Sequence, residues 1–224
     1  MKKLLGFTLA EVLITLAIIG IVASMTIPTL MNQANDIELK VAWKKAFSVL
    51  SQAHALLIAD NIMPVSSSTS YAYPDALADK LKVSKRCTVS TSGCWHAVGA
   101  VYSVANKPVT FVGNGGDMVY HINDGMMMYV YNGGFSPVSP LTAAMDNNSA
   151  GFMIIDVNGF KKPNRMGYDM YSVEYYGNAL IASGAANSHY TETSGFSSCD
   201  KTSASTSWNN GLSCSSKALL GISY

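Results

Sequence analysis

Residues 7–27 hold a single charged side chain, Glu11, in a run otherwise made of apolar and small residues. A bilayer's hydrocarbon core is about 30 Å thick, and about 20 apolar residues in a helix cross it, so this run is long enough to span. In oil every backbone N–H and C=O must be satisfied inside the segment, which restricts a lone span to helix. Lys2 and Lys3 precede the run. Cationic side chains hold the chain start on the cytoplasmic side and send the rest of the chain outward.

Three kinds of segment fit such a run. An ordinary secretory signal has a 7–15-residue apolar region and small residues at its cut, for which Val22-Ala23-Ser24 would serve. The run is longer than that and carries an acid. A plain transmembrane anchor matches the length but leaves Glu11 without a purpose. A carboxylate in a bilayer costs on the order of 3 kcal/mol on insertion scales, so it requires a partner.

The third kind supplies one. Gly6-Phe7-Thr8-Leu9-Ala10-Glu11 resembles the signal of type IV prepilins and of the pseudopilins of type II secretion. The resemblance implies that a prepilin peptidase cuts between Gly6 and Phe7 on the cytoplasmic face and that Phe7 becomes the N-methylated terminus. It implies further that Glu11 of one subunit neutralises the terminal ammonium of its neighbour. Two unfavourable burials then become one charge-assisted pair, which sets the axial register between subunits. The partners implied are other copies or related pilins, the peptidase and an inner-membrane assembly platform. The implied location is the bacterial inner membrane, crossed once with the body outside the cytoplasm, and then a periplasmic or extracellular filament.

Pro28 ends the purely apolar run, and a kink or local break is expected there because proline removes a helical hydrogen bond. Pilin helices often carry a proline here, and a simple membrane-exit kink is the alternative. Beyond it the pattern turns amphipathic. Trp43, Phe47, Leu50, His54 and Leu57 recur at spacings of three and four, with Lys40, Lys44, Lys45, Ser48, Ser51 and Gln52 elsewhere. One helix over 7–60 would extend about 80 Å at 1.5 Å per residue. His54, on the apolar stripe, is expected to be buried and hydrogen-bonded, not a ligand.

The exported body is rich in Ser, Asn, Gly and Tyr. Residues 63–73 form a loop, and a short helix is expected over 75–81. Val109-Thr110-Phe111-Val112 is a β-type run before the turn Gly113-Asn114-Gly115-Gly116. Asn123-Asp124-Gly125 is a tight-hairpin signal between 118–122 and 126–131, closed by Asn132-Gly133-Gly134. Residues 152–157 form a buried strand, and Gly177-Asn178 joins 171–176 to 179–182 in a second hairpin. Residues 183–208 are a long loop, and 218–224 are expected to return as an edge strand. The methionines Met126, Met127 and Met128 are expected to fill core. The fold class is therefore α+β and pilin-like: a long N-terminal helix, transmembrane then amphipathic, packed on a C-terminal antiparallel sheet of about four to six strands. The expected divisions are a leader at 1–6, a membrane and assembly segment at 7–30, its amphipathic continuation at 31–62 and an exported domain at 63–224.

Four cysteines fall as two local pairs, Cys87 with Cys94 and Cys199 with Cys214. Three connectivities are possible, and closure of small loops in an exported chain favours local disulfides. Neither pair has the spacing of a zinc knuckle, and His54, His96, His121 and His189 are scattered. In the stretch 156–169, Asp156, Asn158 and Asp169 offer hard oxygens, and some pseudopilins bind calcium in a loop near the end of their sheet. The spacing does not match an EF-hand, and Asp/Asn/Gly clusters make turns without an ion. A structural turn is the expectation, with no cofactor and no metal.

Net charge is +1, which leaves no long-range footprint for nucleic acid. Charged residues are 13% of the chain, and no nucleophile elbow, P-loop, zinc-protease motif or dinucleotide fingerprint is present. An enzyme is not expected. Two functional classes remain from the sequence. One is a filament subunit: major pilin, minor pilin or pseudopilin. The other is a membrane-anchored surface protein whose body binds a ligand such as a glycan through its tyrosines and tryptophans.

Overall fold

Helix α1 (Leu9–Ala59) dominates the computed structural model, which describes residues 8–62, 71–109, 116–131, 150–176, 178–188, 190 and 198–224. Outside the described residues lie the leader with Gly6 and Phe7, positions 63–70 of the first loop, the 110–115 part of the first β run and its turn, 132–149, Gly177, His189 and 191–197. The chain divides into two compact units, Met1–Glu38 and Leu39–Tyr224.

In the second unit α1 buries one stripe: Trp43, Ala46, Leu50, Ala53, His54 and Leu57. These positions recur every three or four residues, as one face of a 3.6-residue repeat requires. The stripe packs with α2 (Ala72–Lys80), through Tyr73, Leu77 and Ala78, onto a sheet. Its strands are β1 (Val83–Thr88), β4 (Met118–Ile122), β5 (Met127–Val130), β6 (Ala150–Asp156), β7 (Met170–Tyr176) and β8 (Ala179–Ala182). They lie in the order β1-β4-β5-β6-β7-β8, with every neighbouring pair antiparallel. A separate small ribbon pairs β2 (Val101–Tyr102) with β3 (Pro108–Val109).

Both faces of the central strands are covered. Met128, Val130, Met153, Ile155, Tyr171 and Val173 face the helices. Met127, Tyr129, Phe152 and Ile154 face a second core closed by Trp95, Met166 and Leu212. Side chains alternate across a strand, so double burial produces continuous apolar runs in place of alternation. The methionine run reflects this, with Met126 and Met128 in one core and Met127 in the other. The hairpin between β4 and β5 turns at Gly125, whose φ of 94° is costly for any residue with a Cβ.

Two expectations are corrected, the returning edge strand and a break of the helix at Pro28. Residues 218–224 do not return as an edge strand, because helix α3 (Cys214–Leu220) occupies most of that stretch. Gly221 ends it in the left-handed conformation that caps helices. The edges of the sheet are instead β8 and β1, the latter a polar stretch leading to Cys87 with no strand pattern of its own. Its exposed Lys85 and Arg86 suit an edge, where charge discourages pairing with another chain. Pro28 does not break α1, which is helical on both sides of it. One missing hydrogen bond is a local loss that the flanking turns outlast.

Cys87 is bonded to Cys94 and Cys199 to Cys214. The second bond anchors the start of α3. Trp43 Nε1 on α1 donates to the Ser215 carbonyl of that helix at 3.0 Å. Ser172 of β7 joins it too, its N–H donating to Ser215 Oγ at 2.8 Å.

Candidate functional site

The start of α1 is organised around Glu11. Thr8 N–H and Thr8 Oγ1 both donate to Glu11 Oε2 at 2.8 Å, and Glu11 N–H reaches back to Thr8 Oγ1 at 3.3 Å. This is a reciprocal capping box, which satisfies donors that the first turn of any helix leaves open. The T-x-x-E spacing at 8–11 is the sequence signature of such a box, and the charge of Glu11 by itself does not announce it. The arrangement engages one carboxylate oxygen and leaves Oε1 for another donor.

Along the described part of the unit Met1–Glu38 the large apolar side chains, including Leu13, Ile14, Leu16, Ile18, Ile19, Ile21 and Val22, are exposed. α1 is long and apolar enough to cross a membrane. An apolar surface all round a helix is stable only against lipid or other helices. The segment around Glu11 therefore presents a lone acid in a surface made for oil.

The other candidate from the sequence is the loop between β6 and β7. The structure brings Asp156, Asn158 and Asp169 together. Asp156 Oδ1 accepts from the backbone N–H of Asn158 (3.1 Å) and Gly159 (2.8 Å), and Oδ2 faces His96 Nε2 at 2.7 Å. Asp169 Oδ2 accepts from Asn164 N–H at 2.7 Å and Oδ1 from Arg165 N–H at 2.6 Å. The Asn158 amide, oriented with nitrogen toward these acceptors, donates to Asp156 Oδ1 at 2.9 Å and to Asp169 Oδ2 at 3.2 Å. Three of the four carboxylate oxygens thus accept from backbone N–H groups, and the fourth faces His96 Nε2. Calcium takes six to eight oxygens, whereas these oxygens are engaged within the structure, and the three residues fasten the loop at both ends.

That fastening carries a pH dependence. Burial, and next the nearby Asp156, push the Asp169 carboxyl up from 3.8 to about 7, and burial also raises Asp156. A raised acid binds its proton more tightly in the folded state, so its contribution is complete below pH 3.8 and is lost as pH rises through about 7. The detergent-extracted chain is expected to melt lower at pH 8 than at pH 5, this carboxyl costing it on the order of 2–4 kcal/mol of stability. Asp169→Asn is expected to flatten that slope; an unchanged slope in the variant would exclude Asp169 as its source.

Sequence reasoning did not single out His96, because its partner Asp156 is 60 positions away. His54 is buried, and its Nδ1 meets the Tyr73 hydroxyl. Cys87, Cys94 and His121 lie close enough to hold an ion, but both sulfurs are committed to a disulfide and offer no thiolate.

No curated protein and no solved structure matches the chain. One family model does, described as the prokaryotic N-terminal methylation motif, and it covers residues 1–27. The match includes Gly6, Phe7, the capping box at Thr8 and Glu11, and the apolar run up to Ile27. Residues 1–27 of this chain are thus a prepilin-type cleavage and methylation signal, set at the head of the helix that packs on the antiparallel sheet.

Proposed function

We propose that the chain is a structural subunit, pilin or pseudopilin, of a type IV pilus or type II secretion-type filament. It is cut after Gly6 by a prepilin peptidase, methylated at Phe7, held in the inner membrane by α1 and then polymerised with other copies or related pilins. The observation that carries this is the signal at residues 1–27 with Glu11 as the lone acid of the exposed apolar run that ends at Ile27. In that setting the new terminal ammonium of a neighbour is the complementary charge, and accepting from it is the role this reading gives Glu11 Oε1. Lys2 and Lys3 direct the body outward, where its two disulfides persist.

The intact mass of the membrane-extracted protein tests the processing. Loss of residues 1–6 with one added methyl group on Phe7 is the expected result. An uncut chain, or a cut near Ala23, would remove the ammonium from beside Glu11 and end the proposal.

A further inference from the structure

The turn after β1 brings two sulfurs and an imidazole together at one edge of the sheet. β1 and β4 pair Cys87 with Val119 and Lys85 with His121, so Cys87 and His121 are diagonal neighbours on one face. Cys94 is fully buried, while Cys87 and His121 are half-buried. The possible ligand atoms of the three side chains all lie within 4.8 Å of one another. In a tetrahedral zinc site, with Zn–S near 2.3 Å and Zn–N near 2.0 Å, the ligand atoms stand about 3.5–3.8 Å apart. The three residues are therefore grouped at nearly the spacing that a soft metal needs.

The turn owes much of its shape to contacts other than the disulfide. Thr91 N–H donates to the Thr88 carbonyl at 2.9 Å, and Cys94 N–H donates to the Thr91 carbonyl at 3.0 Å. Val89 N–H reaches the Asp117 carbonyl at 2.9 Å, and Lys85 Nζ reaches the Gly93 carbonyl at 3.2 Å. Trp95, next along the chain, is buried against Tyr129 with ring centroids 5.4 Å apart. None of these contacts uses sulfur, so all of them remain when the bond is opened. His121 is oriented as well, with Nε2 facing the Cys94 carbonyl at 2.8 Å. A carbonyl only accepts, so the neutral ring carries its proton on Nε2 and keeps a lone pair on Nδ1. Metal-ligating histidines give their second N–H to a backbone carbonyl in the same way.

We propose that Cys87, Cys94 and His121 form a zinc site in the reduced chain, with a fourth position open to water. Disulfide and metal are then alternative states of one corner. A dithiol reductant opens the Cys87–Cys94 bond, supplies two electrons and two protons, and becomes a disulfide itself. Zn²⁺ binds both sulfurs as thiolates and the imidazole as the neutral ring, releasing the two thiol protons with no change of oxidation state. In the reverse direction a disulfide oxidant takes two electrons from the thiolates, the S–S bond forms and Zn²⁺ leaves. The consequence falls on cysteine pairing. Four cysteines can pair in three ways, and zinc keeps Cys87 beside Cys94 until they are oxidised. Among the described residues no histidine or acid is grouped with Cys199 and Cys214 in this manner. The zinc site does not depend on the filament role.

The test uses the full detergent-extracted chain, reduced with a phosphine in the absence of oxygen. Zinc is read by competition with a chromophoric chelator, and Co²⁺ serves as a spectroscopic substitute. One Zn²⁺ per reduced chain is expected, with thiolate-to-cobalt charge-transfer absorption when Co²⁺ is used, and no binding by the oxidised chain. His121→Ala and Cys87→Ser are each expected to weaken binding by about a hundredfold or more, the upper end of what losing an outer-shell partner costs. Cys199→Ser with Cys214→Ser should keep the zinc. Equal affinity in the oxidised chain or in His121→Ala would overturn the site. Loss of zinc from the double serine variant, with its near-ultraviolet circular dichroism intact, would do the same by moving the metal to the other pair. A reduced parent that loses that signature and does not regain it with zinc would also overturn the proposal.

Discussion

Glu11→Ala and Glu11→Gln are both expected to reduce filaments to background while the subunit still accumulates in the membrane, its disulfides intact. Two roles for this carboxylate are separable by the pair of variants. As the last member of the Thr8 capping box it completes the first turn of α1, and caps contribute about 0.5–2 kcal/mol. Glutamine fills the same place in such a box, so Glu11→Gln retains most of that contribution. The charge is different. Without it the neighbour's ammonium stays in the apolar layer unpaired, at on the order of 3 kcal/mol or about a hundredfold per contact. A polymer repeats that loss at every subunit. Filaments counted by electron microscopy and sheared-fraction immunoblot decide the matter. Normal assembly of the Gln variant would reduce Glu11 to a helix cap.

The largest effect on the body is expected from Trp43→Ala. Trp43 is fully buried where α1, the sheet and α3 meet. Its ring stacks on Tyr171 of β7 at 4.7 Å with an interplanar angle of 11°, and Phe47 meets it edge-on at 5.6 Å. Its Nε1 closes on the Ser215 carbonyl. Truncation opens a cavity among three elements, and losses of about 3–5 kcal/mol are usual for such a change. The orphaned carbonyl adds about 1 kcal/mol. Domains of this size are stable by only about 5–15 kcal/mol, so the variant should be near half-unfolded at modest denaturant. Urea unfolding of the detergent-extracted chain, followed by near-ultraviolet circular dichroism, reads the effect. A midpoint equal to the parent's would mean that α1 does not organise this core. Trp43→Phe retains the ring face and loses the donor, and it should fall between the two.

Much of this arrangement is legible in local sequence. The hairpin at Asn123-Asp124-Gly125 and the strand pair around Asn178 arise from turn chemistry. The stripe on α1 arises from spacing. Other elements are legible only in part. Gly221 is a helix-ending signal, yet Ala218-Leu219-Leu220 reads equally as a strand, since short apolar runs suit either state. β1 has no apolar alternation, because an edge strand with exposed lysine and arginine needs none, so nothing in its composition announces it. The turn expected at 156–169 is there, but its inward acids meet His96 from a distant segment, and no local pattern encodes that meeting.

The sequence alone determined the long apolar segment, its single acid and the faces of α1, because these depend on the period and chemistry of neighbours within a few residues. Only the tertiary structure decided that both faces of the sheet are buried and that Asp156 and Asp169 turn their oxygens to backbone N–H groups of the loop between β6 and β7. Those outcomes depend on which strands lie side by side, and strand order is set by long-range packing that the chain's local signals do not specify.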